Sequence, residues 1–153
     1  MQQVLSAYDR VAQVLSGKTV ESVALLATRV ALAGIFWRSG RTKVVEGTWL
    51  DISDTTLFLF ETEYAGVPWP ADLAAMLATY AEHALPILLV LGLGSRFAAL
   101  GLLLMTLTIQ IFVYPEAWWT VHIVWVALAA VVISRGGGLF SIDAAIDKAK
   151  LRG

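Results

Sequence analysis

The chain has 153 residues, of which 58% are hydrophobic and 15% are charged, and its mean hydropathy is +0.73. Soluble domains are about 45–50% apolar, so this composition favours a membrane protein, and the length allows one compact domain. A net charge of −1 argues against nucleic-acid binding, and the lack of cysteine excludes disulfides, thiol nucleophiles and iron–sulfur clusters.

Residues 1–20 are predicted to form an amphipathic helix on the cytoplasmic side of the membrane. Val4, Tyr8, Val11 and Leu15 recur at spacings of four, three and four residues. This spacing places the four side chains on one face of a helix. Such a helix lies in the membrane interface and does not cross the bilayer.

Four apolar segments come next, at about residues 22–43, 73–93, 97–114 and 117–134. About 20 helical residues suffice to cross about 30 Å of hydrocarbon, so each segment is a candidate span. The second and third connections are only a few residues long, which makes spans two, three and four antiparallel neighbours. The sequence therefore predicts an all-α, integral membrane four-helix bundle within residues 21–153, with a cytoplasmic tail.

The distribution of charge predicts the orientation. Lys and Arg lie in the N-terminal segment, the second connection and the tail, whereas Asp and Glu dominate the first connection. By the positive-inside rule both termini are cytoplasmic. Arg41 and Lys43, at the end of span one, are exceptions to this pattern. We expect a multi-pass membrane protein in this orientation.

The first connection, residues 44–71, is too long for a bare loop in so small a protein. Its run Leu57-Phe58-Leu59-Phe60 comes after Ser53-Asp54, which predicts a short capped helix on the outer surface. The simpler interpretation is a lid packed over the bundle. The alternative is a gate or a docking surface for a ligand or a partner protein.

Polar residues inside or near the hydrocarbon layer are candidates for a site, because an ionisable group there costs about 2.5–3.5 kcal/mol and needs a partner or water. Counting about 1.5 Å per residue places most of them in the outer half of the bundle. We therefore predict an outward-facing polar cavity built from Arg38, Arg41, Glu82, His83, Gln110 and His122.

Helical phase narrows the pairing of the arginines. Arg29 and Arg38 are nine residues apart, which puts them on opposite faces of span one. Arg38 and Arg41 share a face and form the better anion-binding pair, with Glu82 as a counter-charge. Arg29 is assigned a structural ion pair and is the other candidate partner of Glu82.

Spans three and four each carry a stripe on one face, Thr106–Gln110–Tyr114 and Trp118–His122–Trp125. Aromatic rings beside an imidazole and an arginine suit a flat molecule with a polar head, such as a quinone. We assign ligand binding to Arg38, Arg41, Gln110, Tyr114, Trp118 and His122. The alternative for His122 is a hydrogen-bonded residue within an interfacial aromatic anchor.

Glu82 and His83 are the candidate catalytic residues, as a proton relay or a ligand clamp. The alternative is an interhelical hydrogen bond that fixes the packing of the helices. A metal site is not predicted, because the two histidines lie on different spans without the spacing of a ligand motif.

Several features, taken in chain order, resemble the DoxX family of small bacterial four-helix membrane proteins. They are an Arg in span one (Arg29), the segment Ser39-Gly40-Arg41-Thr42-Lys43, a Glu within span two (Glu82), the turn Leu91-Gly92-Leu93-Gly94-Ser95-Arg96, and a glycine-rich turn before Ser141-Ile142-Asp143. The resemblance covers about Arg29 to Asp143. Many members have His-Gly where this chain has Ser39-Gly40.

The resemblance implies a multi-pass subunit of the bacterial cytoplasmic (inner) membrane. It also implies a link to quinone-associated redox or oxidative-stress chemistry, as in the related thiosulfate:quinone oxidoreductase subunits. A quinone is then the expected ligand, and whether this chain is catalytic on its own stays open. Two other functions remain. One is a non-enzymatic scaffold or assembly factor that docks a partner protein through the acidic first connection, and the other is a transporter of a small anion or of protons. Small residues in the spans permit oligomers.

Overall fold

The structure is a computed structural model that describes residue 9 and residues 12–152. From Lys18 onward these residues form six α-helices: α1 Lys18–Thr42, α2 Asp54–Thr62, α3 Ala71–Leu91, α4 Ser95–Phe112, α5 Ile123–Arg135 and α6 Ile142–Lys150. A 3₁₀ turn, Pro115–Ala117, and a π-helical turn, Trp118–His122, lead into α5. Val4, Tyr8 and Val11 of the predicted N-terminal helix lie outside the described residues, while residues 12–15 are helical.

Four helical segments of the described chain are long and apolar enough to cross a membrane: Lys18–Thr42, Ala71–Leu91, Ser95–Phe112 and Pro115–Arg135. The predicted all-α four-helix bundle is thus confirmed. The fourth segment differs from the prediction in one respect, since it begins with the 3₁₀ and π turns and becomes α-helical only at Ile123. A π turn widens the helix by one residue and shifts the helical phase of the residues after it.

The four long helices pack in a ring. Helix α1 contacts α3 and α5, α3 contacts α4, and α4 contacts α5. Apolar side chains from all four meet in one core that includes Leu32, Phe36, Leu89, Leu102 and Val132. The turn between α3 and α4 is tight because Gly92 and Gly94 both adopt left-handed conformations, with φ of 70° and 58°.

The first connection folds over one end of the ring. An isolated antiparallel bridge joins Val44 to Ile52, and α2 then begins behind Ser53, whose side chain accepts a hydrogen bond from the Thr56 amide at 3.2 Å. The Thr56 hydroxyl donates to the Lys43 carbonyl at 2.9 Å, which fastens α2 to the end of α1. The predicted short capped helix is confirmed.

Candidate functional site

A buried ion pair joins the end of α1 to the middle of α3. The Lys43 ammonium lies 2.7 Å from Glu82 Oε2, and the two side chains are only 11% and 3% exposed. Ser39 completes a triangle, since its hydroxyl donates to Glu82 Oε1 at 3.2 Å and accepts from Lys43 at 2.9 Å. Both charges are therefore paired and hydrogen-bonded, as burial requires.

The local sequence explains why these groups meet. Ser39 and Lys43 are four residues apart at the end of α1, so they lie one above the other on the same face. Gly40, beside them, lets α3 approach, because a Cβ atom at this position would be 3.0 Å from the His83 ring and 3.1 Å from Glu82 Cβ. A larger residue at position 40 would push α3 and its carboxylate away from α1.

The predicted partners of Glu82 are wrong. Arg38 is exposed, and the Arg41 guanidinium donates to the Trp49 carbonyl at 3.4 Å. Arg29 points toward the other end of the bundle. Lys43, which the charge pattern had marked as an exception, is the cation that reaches the carboxylate because it comes one helical turn after Ser39.

Arg29 is fully buried, with 0% exposure, but its hydrogen bonds go to backbone carbonyls and not to a carboxylate. One terminal nitrogen donates to Leu89 at 2.7 Å and to Val90 at 3.3 Å, and the other to Phe140 at 2.5 Å. The prediction of an ion pair for Arg29 is therefore corrected: Arg29 donates to carbonyls at the end of α3 and to one in the segment before α6.

Asp143 completes the same end of the bundle, which we call the cap end. Its carboxylate accepts from the amides of Gly94 and Ser95 at 2.7 and 2.9 Å and from the Ser95 hydroxyl at 2.8 Å. Burial acts to raise the pKa of Asp143, but these hydrogen bonds and the charge of Arg29 outweigh it, so the pKa lies below its ordinary value. The carboxylate thus caps the start of α4.

A cavity of about 450 Å³ lies beside Glu82, at the end opposite Arg29. Its volume falls within the range of small-molecule sites, about 300–1,000 Å³. The walls come from α1, α3, α4, the π turn, the start of α5 and the first connection, and most of the side chains are apolar. The polar lining side chains are Ser39, Lys43, Tyr64, Glu82, Thr108, Tyr114 and His122, and the indoles of Trp69 and Trp125 add two N–H groups.

His122 is buried and held in one orientation by Gln110. The Gln110 amide nitrogen donates to the Pro115 carbonyl at 2.7 Å, so the amide oxygen faces His122 Nδ1, also at 2.7 Å. An amide oxygen only accepts, and Nδ1 must therefore carry the hydrogen. The neighbouring Trp125 ring lies 5.1 Å from the imidazole, centroid to centroid.

The first connection forms one wall of the cavity and is fastened to α4. Phe60, Tyr64 and Trp69 line the cavity from this side. The Tyr114 hydroxyl, just beyond the end of α4, donates a short hydrogen bond to the Glu63 carboxylate. The hydrogen bond to Glu63 raises the pKa of Tyr114, which remains a neutral donor.

The structure separates the two candidate catalytic residues. Glu82 lines the cavity, whereas His83 is turned toward α1, is only 4% exposed and does not line the cavity. His83 Nδ1 lies 2.7 Å from the Thr79 carbonyl, and the ring meets Trp37 edge-on at 5.2 Å. Its Nε2 has no partner among the described residues. His83 thus packs between α1 and α3.

Other predicted binding residues fall into three groups. Tyr114 and His122 line the cavity, Gln110 supports His122 from behind, and Arg38, Arg41 and Trp118 lie outside the walls. Ser39 and Lys43 were missed as site residues, although their spacing of four at the end of span one was a usable signal. Trp118 is half-buried, and its ring meets that of Trp119 edge-on at 6.5 Å, centroid to centroid.

A larger groove of about 640 Å³ lies at the cap end, between α6 and the turns that join α3 to α4 and come after α5. Its half-buried acceptor, Asp143, is already occupied by backbone amides, and the Arg96 guanidinium donates to the carbonyls of Ile133 and Ser134. The smaller cavity is the better candidate site because it encloses a buried ion pair and an imidazole.

The fold and the cavity define a class: a multi-pass four-helix membrane protein with a partly polar chamber at one end of the bundle. Comparison with known proteins names the family. The DoxX family profile matches residues 24–115, and the chain belongs to the DoxX family. An uncharacterized protein of Haemophilus influenzae is 31% identical over 142 residues, covering 82% of this chain and 85% of that protein. No solved structure matches the chain.

Proposed function

We propose that this DoxX protein is a membrane subunit that binds an uncharged, lipid-soluble ring compound of the quinone class beside Glu82 and serves redox or oxidative-stress chemistry. One observation carries the proposal. A cavity of about 450 Å³ with mainly apolar walls encloses a buried ion pair and an imidazole. Apolar walls with a few placed polar groups are typical of sites for small organic ligands.

The charge balance of the cavity favours a neutral ligand. Lys43 neutralises Glu82 at 2.7 Å, and neither Arg38 nor Arg41 lines the walls. The described residues of the cavity wall therefore present no unpaired positive charge to an anion, which disfavours a small-anion transporter. Aromatic walls at Phe60 and Trp125 suit a flat ring, since aromatic pairs gain from stacked or edge-on contact.

The polar groups define the roles in this proposal. Glu82 and His122 bind the oxygen-bearing positions of the ring and take up or release its protons. Ser39 and Lys43 hold the Glu82 carboxylate in place, and Gln110 holds His122. The electrons of the ring compound are exchanged with a redox-active partner protein, because carboxylate, imidazole, ammonium, hydroxyl and amide groups do not carry electrons.

Binding of a short-chain quinone to the purified chain tests the proposal, with both redox states titrated anaerobically. We expect micromolar binding by the parent, and at least tenfold weaker binding by Glu82→Gln and by His122→Ala. Arg38→Gln is the control, since Arg38 is exposed and outside the cavity. No binding by the parent, or unchanged affinity in both cavity variants, would contradict the proposal.

A second function, docking of a partner protein, is supported by the surface of the first connection. Trp49 and Phe58 are 69% and 64% exposed there, among acidic residues. Exposed aromatic side chains are frequent anchors of interfaces. Crosslinking from a probe at Phe58 in native membranes tests this function, and Trp49→Ser should abolish the crosslink without changing ligand affinity. A crosslink that survives Trp49→Ser would contradict the docking role.

We further propose that the protein lies in the bacterial inner membrane with both termini cytoplasmic. The exposed basic residues Arg135 and Lys148 at the cap end support this orientation. Because the chain has no cysteine, single cysteines at Lys148 and at Glu46 can be labelled with an impermeant maleimide in spheroplasts. Labelling of position 46 alone is expected, and labelling of position 148 alone would reverse the orientation.

A further inference from the structure

The hydrogen-bond donors beside Glu82 are already occupied. The three Lys43 protons face Glu82 Oε2 at 2.7 Å, Ser39 Oγ at 2.9 Å and the Ser39 carbonyl at 3.5 Å. The Ser39 hydroxyl proton is directed at Glu82 Oε1. An ionised carboxylate offers about four acceptor positions, of which the described residues use two. The Glu82 side of the cavity can therefore accept further hydrogen bonds, whereas the donors of Ser39 and Lys43 are already in use.

The imidazole offers the same capacity. His122 Nδ1 carries its hydrogen toward Gln110, so in the neutral ring Nε2 is a lone-pair acceptor. Nε2 of His122 has no hydrogen-bond partner among the described residues. It is also not among their fully buried polar atoms that lack a partner. Because His122 lines the cavity, Nε2 is available to a ligand there.

The remaining polar groups of the cavity wall do not outweigh the free acceptors of Glu82 and His122. The Thr108 hydroxyl donates to the Leu104 carbonyl at 3.0 Å, and the Tyr114 hydroxyl donates to Glu63. The donors left over belong to Tyr64, Trp69 and Trp125 and are uncharged. A hydrogen bond to an ionised acceptor is about twice as strong as one between neutral groups, so the carboxylate decides the preference.

We propose, building on the proposed function, that this cavity selects ligands that donate a hydrogen bond, and so binds the hydroxyl-bearing quinol more tightly than the quinone. A quinol hydroxyl satisfies a lone pair of Glu82 or of His122. A quinone carbonyl placed there sets acceptor against acceptor and leaves both without a partner. Gln110 is a positioning residue for this selectivity, because it fixes which imidazole nitrogen accepts.

Three probes with one carbon skeleton test the proposal by anaerobic calorimetry on the purified full chain: durohydroquinone, duroquinone and the dimethyl ether of durohydroquinone. We expect the quinol to bind at least tenfold more tightly than either of the others, a difference of about 1.4 kcal/mol. The ether separates the loss of the donor from the change of redox state. Equal affinities, or a preference for the quinone, would overturn this inference and leave the proposed function standing, whereas no binding of any probe would overturn both.

A second measurement reads the tautomer directly. His83→Gln leaves His122 as the one histidine, so ¹⁵N NMR of the variant reports His122 alone. The inference predicts a protonated Nδ1 and a bare Nε2, and Gln110→Met should mix the tautomers and reduce the quinol preference to less than about threefold. A protonated Nε2 in the neutral ring, or an unchanged preference in Gln110→Met, would overturn the assignment.

Discussion

At the cap end of the bundle, the Arg29 guanidinium lies among carbonyls from the end of α3 and from the segment before α6. At the other end, the Glu82 carboxylate lies among side chains and lines a cavity of about 450 Å³. Both groups are almost fully buried within a helix of the bundle. They differ in what satisfies them and in what lies beside them.

This difference separates a structural from a functional buried charge. Backbone carbonyls at a helix end need donors whatever the protein does, and Arg29 supplies them. Glu82 makes no side-chain hydrogen bond to the backbone in the described structure, and the side chains of Ser39 and Lys43 hold its carboxylate in place. A buried carboxylate held in that way beside empty volume fits a binding site better than a packing element.

Loss of Arg29 should produce the largest change. In Arg29→Met the carbonyls of Leu89, Val90 and Phe140 lose the guanidinium that donates to them, at a cost of about 1–3 kcal/mol for each carbonyl that is left without a donor. We expect the variant to lose about 5 kcal/mol of stability, seen as a fall in Tm in detergent. Arg38→Met, on the same helix but exposed, should stay within about 0.5 kcal/mol. Equal Tm values for the two variants would contradict the structural assignment.

Loss of Lys43 should reduce stability by less, and a second substitution should restore most of the loss. Lys43→Met leaves the Glu82 carboxylate buried without its cation, which costs about 3 kcal/mol. Adding Glu82→Gln removes the charge and should restore most of that stability but not ligand binding. The double-mutant cycle on Tm checks this. Additive losses would show that the pair is not coupled.

The approach of α3 to α1 should be sensitive to a single methyl group. In Gly40→Ala the new Cβ would lie 3.0 Å from the His83 ring, and we expect a loss of about 1–3 kcal/mol and weaker ligand binding. Gly34→Ala, on the same helix, meets nothing within 4 Å and should stabilise α1 by about 0.5–1 kcal/mol. Equal effects of the two substitutions on Tm would contradict the packing at Gly40.

The smallest effect is expected at Asp143 and depends on pH. The pKa of Asp143 is lowered in the folded protein, so its contribution is present above its ordinary pKa and is lost as the pH falls through the lowered value. Asp143→Asn should therefore reduce stability by about 1–2 kcal/mol at pH 7. The Tm difference from the parent should shrink below about pH 4. A difference that stays constant down to pH 3 would contradict the role of the charge.

Much of the fold could be predicted from the sequence because its signals are local. Apolar runs of helical length predicted the four spans, and Ser53 before Leu57-Phe58-Leu59-Phe60 predicted the capped helix of the first connection. The π turn at Trp118–His122 was not predictable from periodicity, since it depends on how the chain re-enters the bundle after Pro115.

The candidate site was predictable only in part. Glu82 and His122 stood out as polar residues in apolar segments, and both line the cavity. The partner of Glu82 depends on the rotation of α1 against α3, which is set by the close contact at Gly40. The depth in the membrane, counted from the sequence, could not decide whether Arg38 or Lys43 is the partner of Glu82. His83, next to Glu82 in sequence, turns away because neighbouring helical residues point about 100° apart.

The most direct test of the proposed binding site is to identify the small molecule that stays bound when the protein is extracted from the membrane. Native mass spectrometry of the parent should detect a bound neutral molecule with the mass of an isoprenoid quinol or quinone. Ala78→Trp, which fills the cavity beside Glu82, should lose it, while Leu100→Trp, exposed and outside the cavity walls, should keep it. No bound molecule in the parent, or the same occupancy in Ala78→Trp, would contradict the account.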